Sequence, residues 1–288
     1  MRRVYSIANL IVEMIGEQTL RLVSGLPGFD VFEIDDQNSP DTDISIHLDK
    51  NIDTTCLTNV HTIHHFKVLD IDHFFAICKE GYLFEMYRMD GGKIVSIIYN
   101  PEGNNVFISP CDCVMSLKYA LWIAYLLPAI QKNILPIHAS TIVKDSGAIL
   151  FLGESGTGKS THTRLWMKYI DDSYLLNDDS PLLSLKDDKI FVSGSPWSGK
   201  THCYKQEIVP LKAIVRLSQY SQNIMNCHNV LGSIGAIHPS FPPFIAYDSF
   251  LSEKLLNMID QIVKRTPIYE LKCLPNKQAA EVAYTTIY

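Results

Sequence analysis

The sequence predicts an α/β chain in two parts, a β-rich domain over residues 1–113 and an α/β P-loop domain over residues 114–288. Three observations predict it. Short alternating apolar segments separated by turn residues fill the first part. Strand-like and helix-like segments interleave in the second. The run Gly153-Glu154-Ser155-Gly156-Thr157-Gly158-Lys159-Ser160 fits G-x-x-x-x-G-K-[ST] between an apolar strand and a helix.

In the first part, strands are expected at Ile44–His47, Phe66–Val68, Phe74–Cys78, Tyr82–Tyr87, Ile94–Tyr99 and Val106–Ile108. Asp90-Gly91-Gly92 and Asn100-Pro101-Glu102-Gly103 supply turns, and Ser39–Asp43 reads as a loop. A helix over Val114–Gln131 opens the second part. Leu135–Val143 suits a strand, Lys144–Gly147 a hairpin turn and Ala148–Leu152 a second strand ending at the glycine loop. Thr161–Ile170 reads as helical and Tyr174–Leu176 as a short strand. Further on come a strand at Ala213–Leu217, an amphipathic helix at Ser252–Lys264 and a strand at Ile268–Leu271. A last helix has Asn276 as its N-cap.

With 47% hydrophobic and 19% charged residues, the chain reads as globular rather than disordered. The net charge of -6 argues against general affinity for nucleic-acid backbones. No secretory signal is expected, because Ser6, Asn9 and Glu13 interrupt Val4–Ile15. The longest apolar run, Tyr119–Ile130, has 12 residues against the roughly 20 of a membrane span, so no membrane is expected. Seven scattered cysteines fit reduced thiols in the cytoplasm. Cys111 and Cys113 lack a second pair at zinc-site spacing.

The glycine loop is the chemical centre. Glycines let the backbone curl so that its N–H groups face phosphate oxygens, and the helix N-terminus adds partial positive charge. Gly153, Glu154, Ser155, Gly156, Thr157, Gly158, Lys159, Ser160 and Thr161 are the expected nucleotide-binding residues. Lys159 meets the β- and γ-phosphates, and Ser160 offers its hydroxyl to Mg²⁺. Asp178 and Asp179 follow within 19 and 20 residues of Lys159. That is room for one helix, a turn and a short strand, which brings both carboxylates to the edge where the loop emerges. One carboxylate there can hold the metal and the other can accept a proton from an attacking hydroxyl. Away from a P-loop, Asn-Asp-Asp-Ser-Pro is ordinary turn composition.

The succession His138, Gly153–Ser160, Asp178-Asp179 resembles the C-terminal catalytic domain of HPr kinase/phosphorylase. That fold is related to phosphoenolpyruvate carboxykinase, so the resemblance implies a mixed-sheet P-loop domain of that type. It covers about Leu135–Asp179 well and the rest of the C-terminal half loosely. It implies catalytic roles for His138, Lys159 and Asp178, with Asp178 the base and Ser160 a Mg²⁺ ligand. The Leu-Pro-Ile-His-Ala segment also resembles smaller proteins of this kind, some encoded with peptide-modification systems. The Arg-Gly segment of the family, with its metal-binding glutamate, is replaced here by Gly194-Ser195-Pro196-Trp197-Ser198-Gly199-Lys200. That stretch reads either as a loop over the nucleotide, with Lys200 offsetting charge on the transferred group, or as a hairpin loop with an exposed lysine.

The expectation is a kinase using ATP or GTP with Mg²⁺ and acting on a hydroxyl, foremost a serine, of a protein, peptide or small molecule. Ser160 and Asp179 hold the metal, and Asp178 activates the acceptor. The related kinases assemble, so the resemblance also implies a homo-oligomer. Rivals are a non-catalytic nucleotide-binding module, a small-metabolite carboxykinase and plain NTP hydrolysis. Arg164 and the N-terminal histidines His47, His61, His64, His65 and His73 read as surface or packing residues.

Overall fold

The computed structural model describes residues 1–35, 41–68 and 70–288. The loop expected at Ser39–Asp43 therefore lies partly outside the described residues. The chain divides into two compact units, Met1–Lys132 with Ala246–Leu251, and Asn133–Ile245 with Ser252–Tyr288. The helix Val114–Gln131 falls with the first unit, so the division comes at Lys132 and not at residue 113.

Unit one holds β1 (Arg2–Ile7), β2 (Leu10–Ile15), α1 (Gln18–Ser24), β3 (Glu33–Ile34) and β4 (Ile44–His47). It continues with β5 (His61–Val68), β6 (Ile71–Cys78), β7 (Gly81–Arg88), β8 (Lys93–Asn100), β9 (Asn105–Ile108) and α2 (Val114–Gln131). The strands form one sheet in the order β3-β1-β2-β4-β9-β8-β7-β6-β5. The hairpin β1–β2 is absent from the sequence reading. It turns at Ala8 and Asn9, both at positive φ, which suits a two-residue turn between twisted strands. Most of α2 is buried, and it packs on β4, β8 and β9. By length and composition α2 could cross a membrane, but 67% of it is buried inside the unit, the mark of a core helix. Two histidines of this unit stack on rings, His65 on Phe74 at 4.3 Å and His73 on Phe66 at 4.8 Å.

Unit two holds β10 (Ile134–Pro136), β11 (Ala139–Lys144), β12 (Gly147–Leu152), α3 (Lys159–Tyr169), β13 (Tyr174–Asp179), β14 (Leu182–Lys186) and β15 (Lys189–Ser193). Then come β16 (Ile208–Gln219), β17 (Ile224–Cys227), α4 (Val230–Ile237), α5 (Ser249–Arg265, its first turn with unit one), β18 (Ile268–Cys273) and α6 (Lys277–Ile287). The sheet runs β10-β14-β15-β16-β12-β11-β13, with β18 joining β16 and β17 joining β18. It is mixed: β16 pairs β12 and β18 in parallel, while β11 is antiparallel to both β12 and β13. The carboxyl ends of β12, β13 and β16 and the amino end of β11 therefore meet at one edge, where open α/β sheets form crevices.

Two sequence expectations change here. Leu135–Val143 is two strands, because the chain leaves the sheet at Ile137-His138 between β10 and β11. The strand begun at Tyr174 runs on through Asp179, so the aspartates end a strand and do not sit in a loop. β13 lies near β12 in the same sheet, as the short strand–helix–strand spacing predicts, with β11 between them.

On one face of this sheet, alternate residues Ile149, Phe151, Ala213, Val215 and Leu217 meet Trp166 of α3 and Ala280 and Ala283 of α6. Asn276 caps α6, its side chain accepting from the Ala279 N–H at 3.1 Å. Trp166 is fully buried, and its indole N–H donates to His162 Nε2 at 3.1 Å. Burial holds the His162 imidazole neutral, pushing its pKa down to about 4. Trp166→Ala is expected to cost about 3–5 kcal/mol in urea denaturation, because it opens a cavity where α3 packs on Phe151 of β12.

Candidate functional site

Between β12 and α3 the chain turns through Gly153, Gly156 and Gly158 at φ 150°, 84° and 105°. These values lie where L-residues are strained. A Cβ at Gly153 would also stand 2.5 Å from Thr157 Oγ1. The Thr157 N–H and hydroxyl both donate to the Glu154 carbonyl, at 3.2 and 2.8 Å. Lys159 Nζ folds back onto the carbonyls of Gly153 (2.7 Å) and Glu154 (3.3 Å). Ser155 and Gly156 are exposed at the tip, and Thr161 lies in the first turn of α3. Arg164, exposed on the same helix, donates to the Ser160 carbonyl at 2.9 Å.

The register of β11 on β13 sets Ser140 opposite Asp178 and Ala139 opposite Asp179. The Ser140 hydroxyl donates to Asp178 Oδ1. The Ser160 hydroxyl stands 3.1 Å from each Asp178 oxygen. Asp178 is only 4% exposed, so these hydroxyls take the place of lost water. Asp179 goes the other way. Its backbone is at φ 141°, its side chain is 51% exposed, and its Oδ1 is 3.5 Å from His138 Nε2. His138 is half-exposed at the break between β10 and β11, where its N–H donates to the Ser240 carbonyl at 2.7 Å. The structure thus brings His138, Lys159, Ser160, Asp178 and Asp179 to one edge. The carboxylate beside Ser160 is Asp178, whereas the sequence reading pairs Ser160 with Asp179.

Charge is closely coupled at this edge. Desolvation, then the Lys159 ammonium, push the His138 pKa down, against the pull of Asp179 and Asp178. Lys159 is pushed below an ordinary lysine, chiefly by burial and further by Arg216.

Gly194–Lys200 is neither a free lid nor a loose hairpin. Residues 194–198 are buried, and the Asn177 amide donates to the carbonyls of Ser195 (3.3 Å) and Trp197 (3.2 Å). The Ser195 hydroxyl donates to Ser180 O at 2.6 Å, and the Gly199 N–H to Asp178 O at 2.6 Å. Lys200 follows as an exposed residue, and among the described residues no hydrogen bond or ion pair ties it to Lys159, His138 or the aspartates.

Sequence reasoning missed Ser140, Asn177 and Arg216. An arginine inside the apolar run Ala213-Ile214-Val215-Arg216-Leu217 was the available signal, since a charge in a buried strand is rarely there without a partner. Ser140 gave no comparable signal.

The fit of MgATP or MgGTP to this site is a matter of donor chemistry. The Ser160 hydroxyl and Asp178 carboxylate supply hard oxygen donors at one point. A magnesium ion takes that set with phosphate oxygens and waters. Among the described residues no group of three or more His, Cys, Asp or Glu stands ready to hold a metal alone.

No family model matches the chain, and no curated protein matches it. Among solved structures, the chain is similar to the HPr(Ser) kinase/phosphatase from Coxiella burnetii, at 12% identity and a TM-score of 0.31. The match covers 52% of this chain and 91% of that one. A likeness this distant carries no argument about the site, which rests on its own geometry.

Ser140→Ala leaves the buried Asp178 carboxylate one donor short. Urea denaturation is expected to show a loss of about 1–3 kcal/mol, restored in large part by Ser140→Thr.

Proposed function

We propose that the chain is an HPr-kinase-like P-loop kinase that transfers the γ-phosphoryl group of ATP or GTP to a hydroxyl of a protein, peptide or small molecule. The observation that carries this reading is the contact of Ser160, at the head of the P-loop helix, with the buried carboxylate of Asp178. It joins a phosphate loop to a metal-competent carboxylate, with His138 and Asp179 alongside. Bound magnesium would neutralise charge on the phosphates.

The residues divide the work as follows. The loop backbone and Lys159 hold the triphosphate, Lys159 leaving its two carbonyls for phosphate oxygens. Ser160 and Asp178 are the metal-side pair. Asp179 is the acceptor-side base in this reading, because it is open to solvent while Asp178 is committed to two hydroxyls. His138 orients Asp179. Asp179 takes the hydroxyl proton as the acceptor oxygen bonds to the γ-phosphorus, and the bond to the β-phosphate oxygen breaks to release nucleoside diphosphate. Few residues suffice, because such transfer depends mainly on positioning and charge stabilisation.

The test is incubation with γ-labelled ATP, Mg²⁺ and fractionated lysate, followed by identification of the labelled species. Label is expected on a hydroxyl. Lys159→Ala should weaken nucleotide binding at least about tenfold, the loss of a charge-assisted contact. Asp179→Asn should keep nucleotide affinity and lose about 10²–10⁴ in turnover, and Asp178→Asn should instead weaken Mg²⁺-dependent binding. Absence of ATP and GTP binding, with Lys159→Ala without effect, would overturn the reading. Tight binding with no label transfer would leave a nucleotide-binding module.

A further inference from the structure

Arg216 stands at the loop without a role in the scheme above. It lies on β16, whose parallel register with β12 pairs Leu152 with Arg216. Leu152 is the last residue before Gly153, so Arg216 emerges at the root of the glycine loop, on the flank away from β13. Its neighbours Val215 and Leu217 point to the opposite face and into the core. Its guanidinium makes one firm contact: NH1 donates to the Ala236 carbonyl at 2.9 Å, at the carboxyl end of α4. The other arm, NH2, is 3.6 Å from Glu154 Oε1, too long for a hydrogen bond. Glu154 belongs to the loop itself and its side chain is 80% exposed, whereas that of Arg216 is only 24% exposed. One arm of a largely buried guanidinium is thus fixed and the other is aimed across the loop at a loosely held surface carboxylate. Gln219 on the same strand also reaches the loop, its amide donating to the Gly156 carbonyl at 3.2 Å.

We propose that Arg216 is a second phosphate-binding cation of this site, and that Glu154 is the internal anion it leaves when the polyphosphate tail of a nucleotide enters. The planar guanidinium suits this part, since it can keep the Ala236 carbonyl on one nitrogen and give another to a phosphate oxygen. Lys159 makes the matching exchange, giving up its own carbonyls. The two cations then flank the tail, Lys159 from the head of α3 and Arg216 from β16. The charged groups facing this position are Lys159 and Glu154 of the loop, with Asp178 and Asp179 acting on Lys159 from β13. The acidic pair lies on the far side of β11, so Glu154 is the carboxylate within reach of Arg216. The proposal rests on the loop being a triphosphate site, and needs nothing about the acceptor.

The test is calorimetric titration of the full chain with MgATP and with inorganic tripolyphosphate, which lacks base and sugar. Arg216→Gln is expected to weaken both about tenfold or more, with Arg216→Lys intermediate. Glu154→Gln should tighten both about two- to fivefold, a gain that disappears in the Glu154→Gln/Arg216→Gln double variant. A purely structural arginine gives a different pattern, a lower melting temperature with affinities unchanged. Wild-type affinity in a folded Arg216→Gln protein overturns the assignment. Should Arg216→Gln fail to fold, a Glu154→Gln protein that binds no more tightly, or a gain that persists beside Arg216→Lys in full, overturns it equally. If the wild-type chain binds neither probe, the loop reading itself fails. If it binds both and the variants behave like wild type, only Arg216 is misassigned.

Discussion

A carboxylate buried at the end of a strand has to be satisfied by the protein, because a charge removed from water without partners costs several kcal/mol. Asp178 is that carboxylate, and the candidate site is organised around it. Strand register brings Ser140 to it, and the head of α3 brings Ser160. The backbone of the same residue is held as well, its carbonyl accepting from Gly199. Three segments distant in sequence therefore converge on one residue. The crowding is tight: a Cβ on Gly199 would lie 3.2 Å from Asp178 O and from Asp179 Cβ. The positive φ of Asp179 belongs to this packing. It ends the strand and sends the second carboxylate outward to His138. Strain of this kind is held only where surrounding contacts over-determine it.

The glycine loop, the helix after it, the Asp145-Ser146 hairpin and the Asn276 cap were legible because each depends on residues next to one another in sequence. The site's core residues were legible as types for the same reason, and their convergence at one edge follows from strand direction. What stayed hidden depends on pairing between strands. Adjacent residues of a strand face opposite ways, so Asp178 and Asp179 divide between interior and solvent. With the strand taken to end at Leu176, that alternation could not be applied to them. Ser140 matters only because β11 lies against β13 in one register. The helix Val114–Gln131 was legible as an element but not as a member of a unit. A helix buried on nearly all sides carries no stripe to say which strands it covers. The β1–β2 hairpin is hard to read from sequence because its polar residues interrupt an apolar run without a glycine or proline turn signal.

The stretch Gly194–Lys200 gains a physical meaning from its contacts. Ser195 and Trp197 are fastened beneath Asn177 and Ser180, so Gly194–Ser198 supports the carboxylate strand from below. Gly194–Lys200 contains no glutamate, and the carboxylate that touches Ser160 is that of Asp178. A metal held so sparsely by protein would depend on phosphate oxygens for its remaining ligands, the usual habit of magnesium. Metal and nucleotide would then bind as a unit.

Along the edge, the order β16-β12-β11-β13 also sorts charge. Arg216 and Lys159 stand on the β16–β12 side, and Asp178 and Asp179 on β13. A triphosphate is strongly anionic, so its place is with the cations. A hydroxyl acceptor gains nothing from cations but needs a proton acceptor, so its place is with Asp179 and His138. Reversing the two would set phosphate against carboxylate and leave the acceptor away from Asp179 and His138. Under the proposed kinase reading, this order of charge would favour phosphoryl transfer from the arginine flank toward the aspartates.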